Sequence, residues 1–322
     1  DALAGKENGK WVKYSSSDYT EMAANLSYGL MALGLKKGDM VATIANNRPE
    51  WNFLDMAVSQ AGMVHVPIYP TISKEDYDYI LNHCKPKLVF VSDKMLLEKI
   101  DPIVKNAKSI KDIYTFNDLE KTKNWKEVLE LGKKNKEKYA DELEKIKESI
   151  QPEDMVTLIY TSGTTGFPKG VMLSHQNLVS NFITTSAVHH LTDKHRVLSF
   201  LPLSHVYERM VNYHFQYKGL SIYYAESMGT IVQDLKDIQP HVFNSVPRLL
   251  ERVYDRIIGK GKDLPGLKKQ IFFWAVNLGL KYSSEGNNAW YKTRLKLANK
   301  LIFSKWREGL GNKVEIVVSG GA

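Results

Sequence analysis

The chain has 322 residues, 43% of them apolar and 25% charged, a net charge of +8 and one cysteine, Cys84. These proportions exclude a disordered or fibrous chain and fit one large or two ordinary soluble domains. A lone cysteine rules out an internal disulfide and fits a reducing compartment, and no apolar run approaches the ~18 residues of a membrane-spanning helix.

The first residues, DALAGKENGK, lack the apolar stretch of a signal peptide. They also lack an initiator Met, so further residues are expected upstream. The expected location is cytoplasmic, peripheral on the inner membrane face. The first clear element is a helix over 18–33, with Met22, Leu26, Leu30 and Leu33 on one face, an Asp18-x-x-Glu21 capping box and a stop at Gly34. Short runs rich in Val and Ile predict strands at 40–45, 63–69, 87–92, 111–116, 155–160, 196–203, 220–225, 241–246 and 314–318. Between them, the lysines of 120–148 are nearly matched by acids, which reads as a solvated helix pair. Strand–helix alternation predicts an α/β fold with largely parallel strands, and nine strands are many for one sheet, so two are expected.

The segment 259–307 is basic, with eleven Lys and Arg against Asp263 and Glu285, a local charge of +9. Two amphipathic helices are predicted there. One covers 267–282 with Ile271, Trp274, Ala275 and Leu278 on a face. The other covers 290–303, with Lys292, Lys296 and Lys300 on one stripe and Tyr291, Leu295, Ala298 and Ile302 on another. The plain reading packs both apolar faces on a sheet and leaves the lysines in water. The functional alternative is contact with anionic lipid, and nucleic acid is disfavoured because no binding motif accompanies the charge. The closing VEIVVSGGA is a strand that breaks into two glycines and ends, so the domain is expected to continue past residue 322.

YTSGTTGFPKG, residues 160–170, carries the chemistry. It follows a predicted strand, the end at which open α/β sheets bind ligands. Gly163, Gly166 and Gly170 allow backbone N–H groups to converge on an anion. Thr161, Ser162, Thr164 and Thr165 add hydroxyls for phosphate oxygens or a hard cation, and Lys169 adds positive charge. Neither G-x-x-x-x-G-K-[ST] nor G-x-G-x-x-G occurs, and no G-x-S-x-G supports nucleophilic hydrolysis. His189, His190 and His195 have only Asp193 as a nearby carboxylate, so a surface cluster is a better reading than a metal site.

The loop is similar to the [ST]-S-G-T-T-G-x-P-K-G phosphate loop of the adenylate-forming superfamily. NNRPEWNFLDMAVSQAGMVHVPIYPT (46–71) and GVMLSHQNLVSN (170–181) resemble its neighbouring segments. FLPLSHVYERM (200–210) and PHVFNSVPRLLERVYDRI (240–257) resemble the long-chain fatty acyl-CoA synthetase branch in particular. The resemblance runs from about residue 14 to residue 322. It implies two packed α/β subdomains, αβαβα in section, of a large N-terminal domain cut before its β-barrel part and the C-terminal domain. The expected subdomains are 62–200, with the phosphate loop, and 1–61 plus 201–322, on the acyl and adenine side.

The implied reaction is ATP-dependent activation of a long-chain fatty acid through acyl-adenylate to acyl-CoA, with Mg²⁺ as cofactor and CoA as co-substrate. The resemblance implies that residues 162–166 and Lys169 cradle phosphate, that Thr161 meets Mg²⁺, and that Gly320, Gly321 and Ala322 border the adenine. It places His205 beside the α-phosphate and the acyl carboxylate, to position and polarise. Glu208 and Arg209 are expected to pair with each other or with Arg248. The expected partners are fatty acid, ATP and CoA, with an anionic membrane and a second copy of the chain as further candidates. The catalytic Lys and the ribose-binding Asp are expected past residue 322, so this stretch alone should not turn over. Rival readings are a ligase for medium-chain, aromatic or amino acid carboxylates, and a non-catalytic nucleotide- or lipid-binding module.

Overall fold

The computed structural model describes residues 1–162, 166–188 and 190–320. In chain order they form β1 (Leu3–Glu7), β2 (Lys10–Tyr14), α1 (Ser16–Ala32), β3 (Met40–Ile44), α2 (Pro49–Gln60), β4 (Val64–Ile68), α3 (Lys74–Cys84), β5 (Leu88–Val91), α4 (Lys94–Asn106), β6 (Asp112–Thr115), α5 (Trp125–Ser149), β7 (Met155–Thr161), β8 (Lys169–Ser174) and α6 (His175–Ser186). There follow β9 (Arg196–Ser199), α7 (Val206–Tyr217), β10 (Ser221–Tyr224), α8 (Ile231–Ile238), β11 (Val242–Ser245), α9 (Pro247–Lys262), α10 (Gly266–Gly279), α11 (Ala289–Ala298), a π-helical turn Asn299–Phe303, α12 (Ser304–Gly309) and β12 (Ile316–Ser319). The chain divides into two compact units, Asp1–Lys194 with Ser199–Glu226, and His195–Leu198 with Ser227–Ala322.

In the first unit six strands run in the order β6-β5-β3-β4-β7-β8. All neighbours are parallel except β7 and β8, which form an antiparallel ribbon at one edge. The period-two alternation of the strands sends Ala42, Ile44, Val64, Val66, Val89 and Val91 to one face, where Tyr77, Ile80 and Leu81 of α3 and Leu96 and Ile100 of α4 cover them. Cys84 is buried there, and burial pushes its thiol up to about 12, so it behaves as a core residue. The opposite face carries α2, whose Trp51 ring lies 5.0 Å from His65. Phe53 of α2 reaches Trp125 of α5 at 6.3 Å. Both faces are covered, which is why these strands read as continuous apolar runs.

Helices α1 and α5 cross so closely that glycine is required at both contact points. A Cβ on Gly29 would overlap the Val128 carbonyl, and one on Gly132 would overlap that of Asn25. Also in this unit, β1 pairs antiparallel with β2 and parallel with β10. In the second unit β11 lies between β9 and β12, all parallel, with Val242 opposite Val197 and Ile316. There α10 and α11 pack Ala275, Leu278 and Ala298 together with Trp274, Tyr291, Leu295 and Ile302, so their apolar faces meet each other.

The α/β class and the predominance of parallel strands agree with the sequence, and so do the positions of the nine expected strands. Three local expectations change. Where a helix pair was expected over 120–148, one 25-residue helix, α5, runs to Ser149, because Asn124 caps it in a capping box with Glu127 and no proline interrupts it. Helix α1 starts earlier than 18, since Ser15 is its N-cap and Asp18 is the N3 partner that takes the Ser15 N–H at 2.7 Å. An unanticipated hairpin, β1–β2, turns on Asn8 and Gly9, both with positive φ, 50° and 76°. Among the described residues no helix is long and apolar enough to cross a membrane.

Candidate functional site

The flanks of the hydroxyl-and-glycine loop lie at the end of the β7–β8 ribbon. Thr161 is the last residue of β7 and stands opposite Lys169, the first of β8. Directly opposed residues of an antiparallel pair share a face, so the Thr161 hydroxyl and the Lys169 ammonium lie on one side of the ribbon. Both are exposed, as is Ser162. Gly166 has φ 94°, a left-handed conformation that suits glycine, with open space where a side chain would stand. Gly163, Thr164 and Thr165 lie outside the described residues.

Thr161, Ser162 and Gly166 line a cavity of about 500 Å³ together with His205. Its apolar part comes from Ile68 and Tyr69 at the end of β4, Ile72 just before α3, Ile80 within α3, and Ile159 of β7. A polar rim of hydroxyls and imidazole thus meets an aliphatic floor. The loop and His205, 39 residues or more apart in sequence, converge because β7 ends and α7 begins at this place.

His205 is the N-cap of α7, and its Nδ1 accepts the Tyr207 N–H at 3.1 Å. A backbone N–H can only donate, so Nδ1 carries the lone pair and the proton of the neutral ring sits on Nε2. Partial desolvation at the cavity wall lowers the imidazole pKa below its ordinary value, which favours that neutral donor form. The ring lies 6.3 Å from Tyr69, edge to face.

Beneath the site, α7 is tied to the sheet by a buried polar cluster that the sequence did not assign. Arg209 donates to Asp55 of α2 at 2.5 Å and to Thr157 of β7 at 2.5 Å. Asp55 also accepts the Tyr213 hydroxyl at 2.5 Å and meets His65 Nδ1 at 2.6 Å. Thr157 in turn donates to the His65 carbonyl at 2.7 Å. Burial alone would raise the Asp55 carboxyl, but Arg209 and His65 overcome it and hold it at about 2. Burial dominates at His65 and lowers its pKa, so the ring is neutral. Arg209 therefore pairs with Asp55, a correction to the expected pairing of Glu208 and Arg209 with each other. Glu208 accepts the Ser199 hydroxyl at 2.5 Å and an Asn212 amide hydrogen at 3.4 Å. The signal for this cluster was present as an acid within the apolar run of α2 and a histidine within β4.

Gly320 lies in the second unit, its N–H on the Ser245 carbonyl at 3.3 Å, and Gly321 and Ala322 lie outside the described residues. His190 is exposed, His195 sits 3.7 Å from Glu315, and His189 is outside the described residues. Among the described residues no cluster of three or more His, Cys, Asp or Glu could hold a metal ion. The donor set at the cavity is hydroxyl oxygen from Thr161 and Ser162 with the Asp76 carboxylate nearby. That set suits a hard cation that arrives on a polyphosphate rather than one held by the protein alone.

Long-chain-fatty-acid–CoA ligase ACSBG2 of Homo sapiens is 34% identical over 96% of this chain and 48% of its own length. Long chain acyl-CoA synthetase 4 of Arabidopsis thaliana is 30% identical over 98% of this chain and 48% of its own length. The chain thus spans about half the length of the curated relatives it matches. The adenylation domain of a carboxylate reductase from Mycobacterium chelonae shares the fold, with a TM-score of 0.70 at 23% identity over 100% of this chain and 51% of that one. So does the long-chain-fatty-acid-CoA ligase FadD1 of Archaeoglobus fulgidus, with a TM-score of 0.66 at 19% identity over 80% and 50%. The model of one family, described as AMP-binding enzyme, matches residues 1–322 from end to end, and the chain therefore belongs to the AMP-binding enzymes.

Proposed function

We propose that the protein carrying this chain activates a long-chain fatty acid with ATP. The carboxylate oxygen attacks the α-phosphorus, the bond to the β-phosphate oxygen breaks, and pyrophosphate leaves. The CoA thiol then attacks the acyl carbon, its proton is lost, and AMP departs. The observation that carries this reading is the cavity in which the phosphate-loop flanks and the His205 imidazole face an aliphatic floor.

In this reading Ser162–Gly166 and Lys169 receive the β- and γ-phosphates, and His205 Nε2–H donates to oxygen that gains charge as the α-phosphorus is attacked. Mg²⁺, when bound, neutralises phosphate charge, and Thr161 supplies one oxygen toward it. Gly320, Gly321 and Ala322 border the adenine. The aliphatic lining and the long-chain relatives support a fatty acid over an amino acid. Carboxylate-dependent exchange of pyrophosphate into ATP by the complete protein tests the reading. Exchange that requires a long-chain acid is expected. Exchange only with aromatic or amino acids would move the substrate class, and none with any carboxylate would leave a binding module.

A peripheral membrane contact is a second element of the proposal. Lys292, Lys296 and Lys300 are all exposed, and Trp290, Leu297 and Leu301 are exposed beside them. Such a mixture suits an anionic lipid surface.

A further inference from the structure

The segment that delivers His205 is held from upstream by the side chain of Asn47. Asn47 is half-buried between β3 and α2, and lines a small polar cavity apart from the one that His205 lines. Its Nδ2 donates to the Leu201 carbonyl at 2.6 Å, and its Oδ1 accepts the Leu203 N–H at 3.0 Å. A longer contact at 3.4 Å reaches the Ser199 hydroxyl. One amide thus serves an acceptor and a donor of the same backbone stretch, as a neighbouring strand would. Two residues further on, the His205 N–H donates to the Pro202 carbonyl at 2.9 Å, and α7 begins. Downstream, Arg209 and Glu208 anchor the first turn of α7 through Asp55, Thr157 and Ser199. The imidazole is suspended between these two fixed points.

We infer that Asn47 is a positioning residue for His205, acting through the 201–203 backbone without touching the substrate. The inference rests on the proposed role of His205 in adenylate formation. The side chain must be an amide of this length. Aspartate keeps the acceptor for Leu203 but turns a carboxylate oxygen on the Leu201 carbonyl, and alanine removes both contacts. A misplacement of about 1 Å at a reacting group can cost on the order of 100-fold in rate.

The test uses the complete protein and the exchange assay. Asn47→Ala is expected to lower kcat about 10- to 100-fold with the KM for ATP changed less than about threefold, and Asn47→Asp to fall between it and the wild type. In a His205→Ala background, Asn47→Ala is expected to cost less than about twofold more, because the group it positions is gone. By NMR, the imidazole of His205 in Asn47→Ala should titrate nearer its ordinary value as the ring gains water. Multiplicative losses in the double variant, or a raised KM with kcat retained, would overturn the inference. If Asn47→Ala does not fold, Asn47→Asp alone and with His205→Ala decides by the same comparison. A wild type with no exchange sinks the proposed function and this inference together, whereas an active wild type with independent losses sinks the inference alone.

Discussion

His205 caps α7, and in the proposed function the same side chain also serves the reaction. Its Nδ1 is committed to the Tyr207 N–H, so protonation would replace a hydrogen bond by two opposed donors. The lowered pKa means that this occurs only below 6.5, the ordinary value. The adenylation rate should therefore hold down to that pH, fall at lower pH, and lose this limb in His205→Ala. A limb that survives the substitution belongs to another group. His205→Ala should also depress the rate at saturating ATP more than it weakens ATP binding. Thr161→Val keeps the shape and removes the hydroxyl; loss of a charge-assisted contact of ~1.5–3 kcal/mol predicts at least a ~10-fold slower adenylation. Unchanged rates at limiting Mg²⁺ would remove Thr161 from the metal role. In the buried cluster, Arg209→Met leaves the Asp55 charge unpaired and should cost ~3–5 kcal/mol in urea unfolding. Asp55 has a folded pKa of about 2 against an ordinary 3.8, so its stabilisation is complete above the latter and is lost as pH falls toward the former. Its amide variant should show a shallower acid limb there. The loop motif stood out in the sequence as a run of hydroxyl and glycine residues, and His205 only through the family resemblance of the segment around it. Asp55, His65 and Asn47 did not, because their meaning lies in partners distant in sequence.

Elements were legible where a period ran cleanly, and less so where several residues could play the same part. Ser15, Ser16, Ser17 and Asp18 can all cap a helix, and only the extended backbone of Ser15, φ −73° and ψ 171°, decides among them. The Asn8–Gly9 pair is a strong hairpin signal, but the flanking residues LAGKE and KWVKY do not alternate cleanly, which hid the strands. Glycines in helix interiors read as weak points, and at 29 and 132 tertiary contact reverses that reading. Alanine at either position would gain up to ~1 kcal/mol of helix propensity, yet its Cβ meets a backbone carbonyl of the facing helix. Overpacking costs ~1–3 kcal/mol, so Gly132→Ala and Gly29→Ala should both lower the melting temperature. A rise in either case would mean that the two helices can separate without penalty.

At the scale of the whole molecule, the net positive charge is concentrated in one segment, residues 259–307. Helices α10 and α11 join in a small core of their own and leave their lysines in water. Binding of the complete protein to anionic vesicles should fall with added salt, and with Lys292, Lys296 and Lys300 changed together to Glu, since each basic residue near such a surface contributes about 1 kcal/mol. Equal binding to neutral vesicles, or none to either, would assign the lysines to solubility alone. The family was legible from the motifs along the chain, and the family model matches residues 1–322.

The edge position of the β7–β8 ribbon has a mechanical consequence. Strands β3, β4 and β5 are bonded on both sides, but among the described residues β8 pairs only with β7 and shows Val171 and Met172 to solvent, 43% and 70% exposed. If the ribbon holds nucleotide as proposed, that grip can hinge by opening one ladder while the parallel sheet behind it stays closed. Hydrogen exchange should record this as two clocks, fast for the amides of residues 169–174 and slow for those of β3 and β4. Bound ATP should slow the first clock and leave the second unchanged.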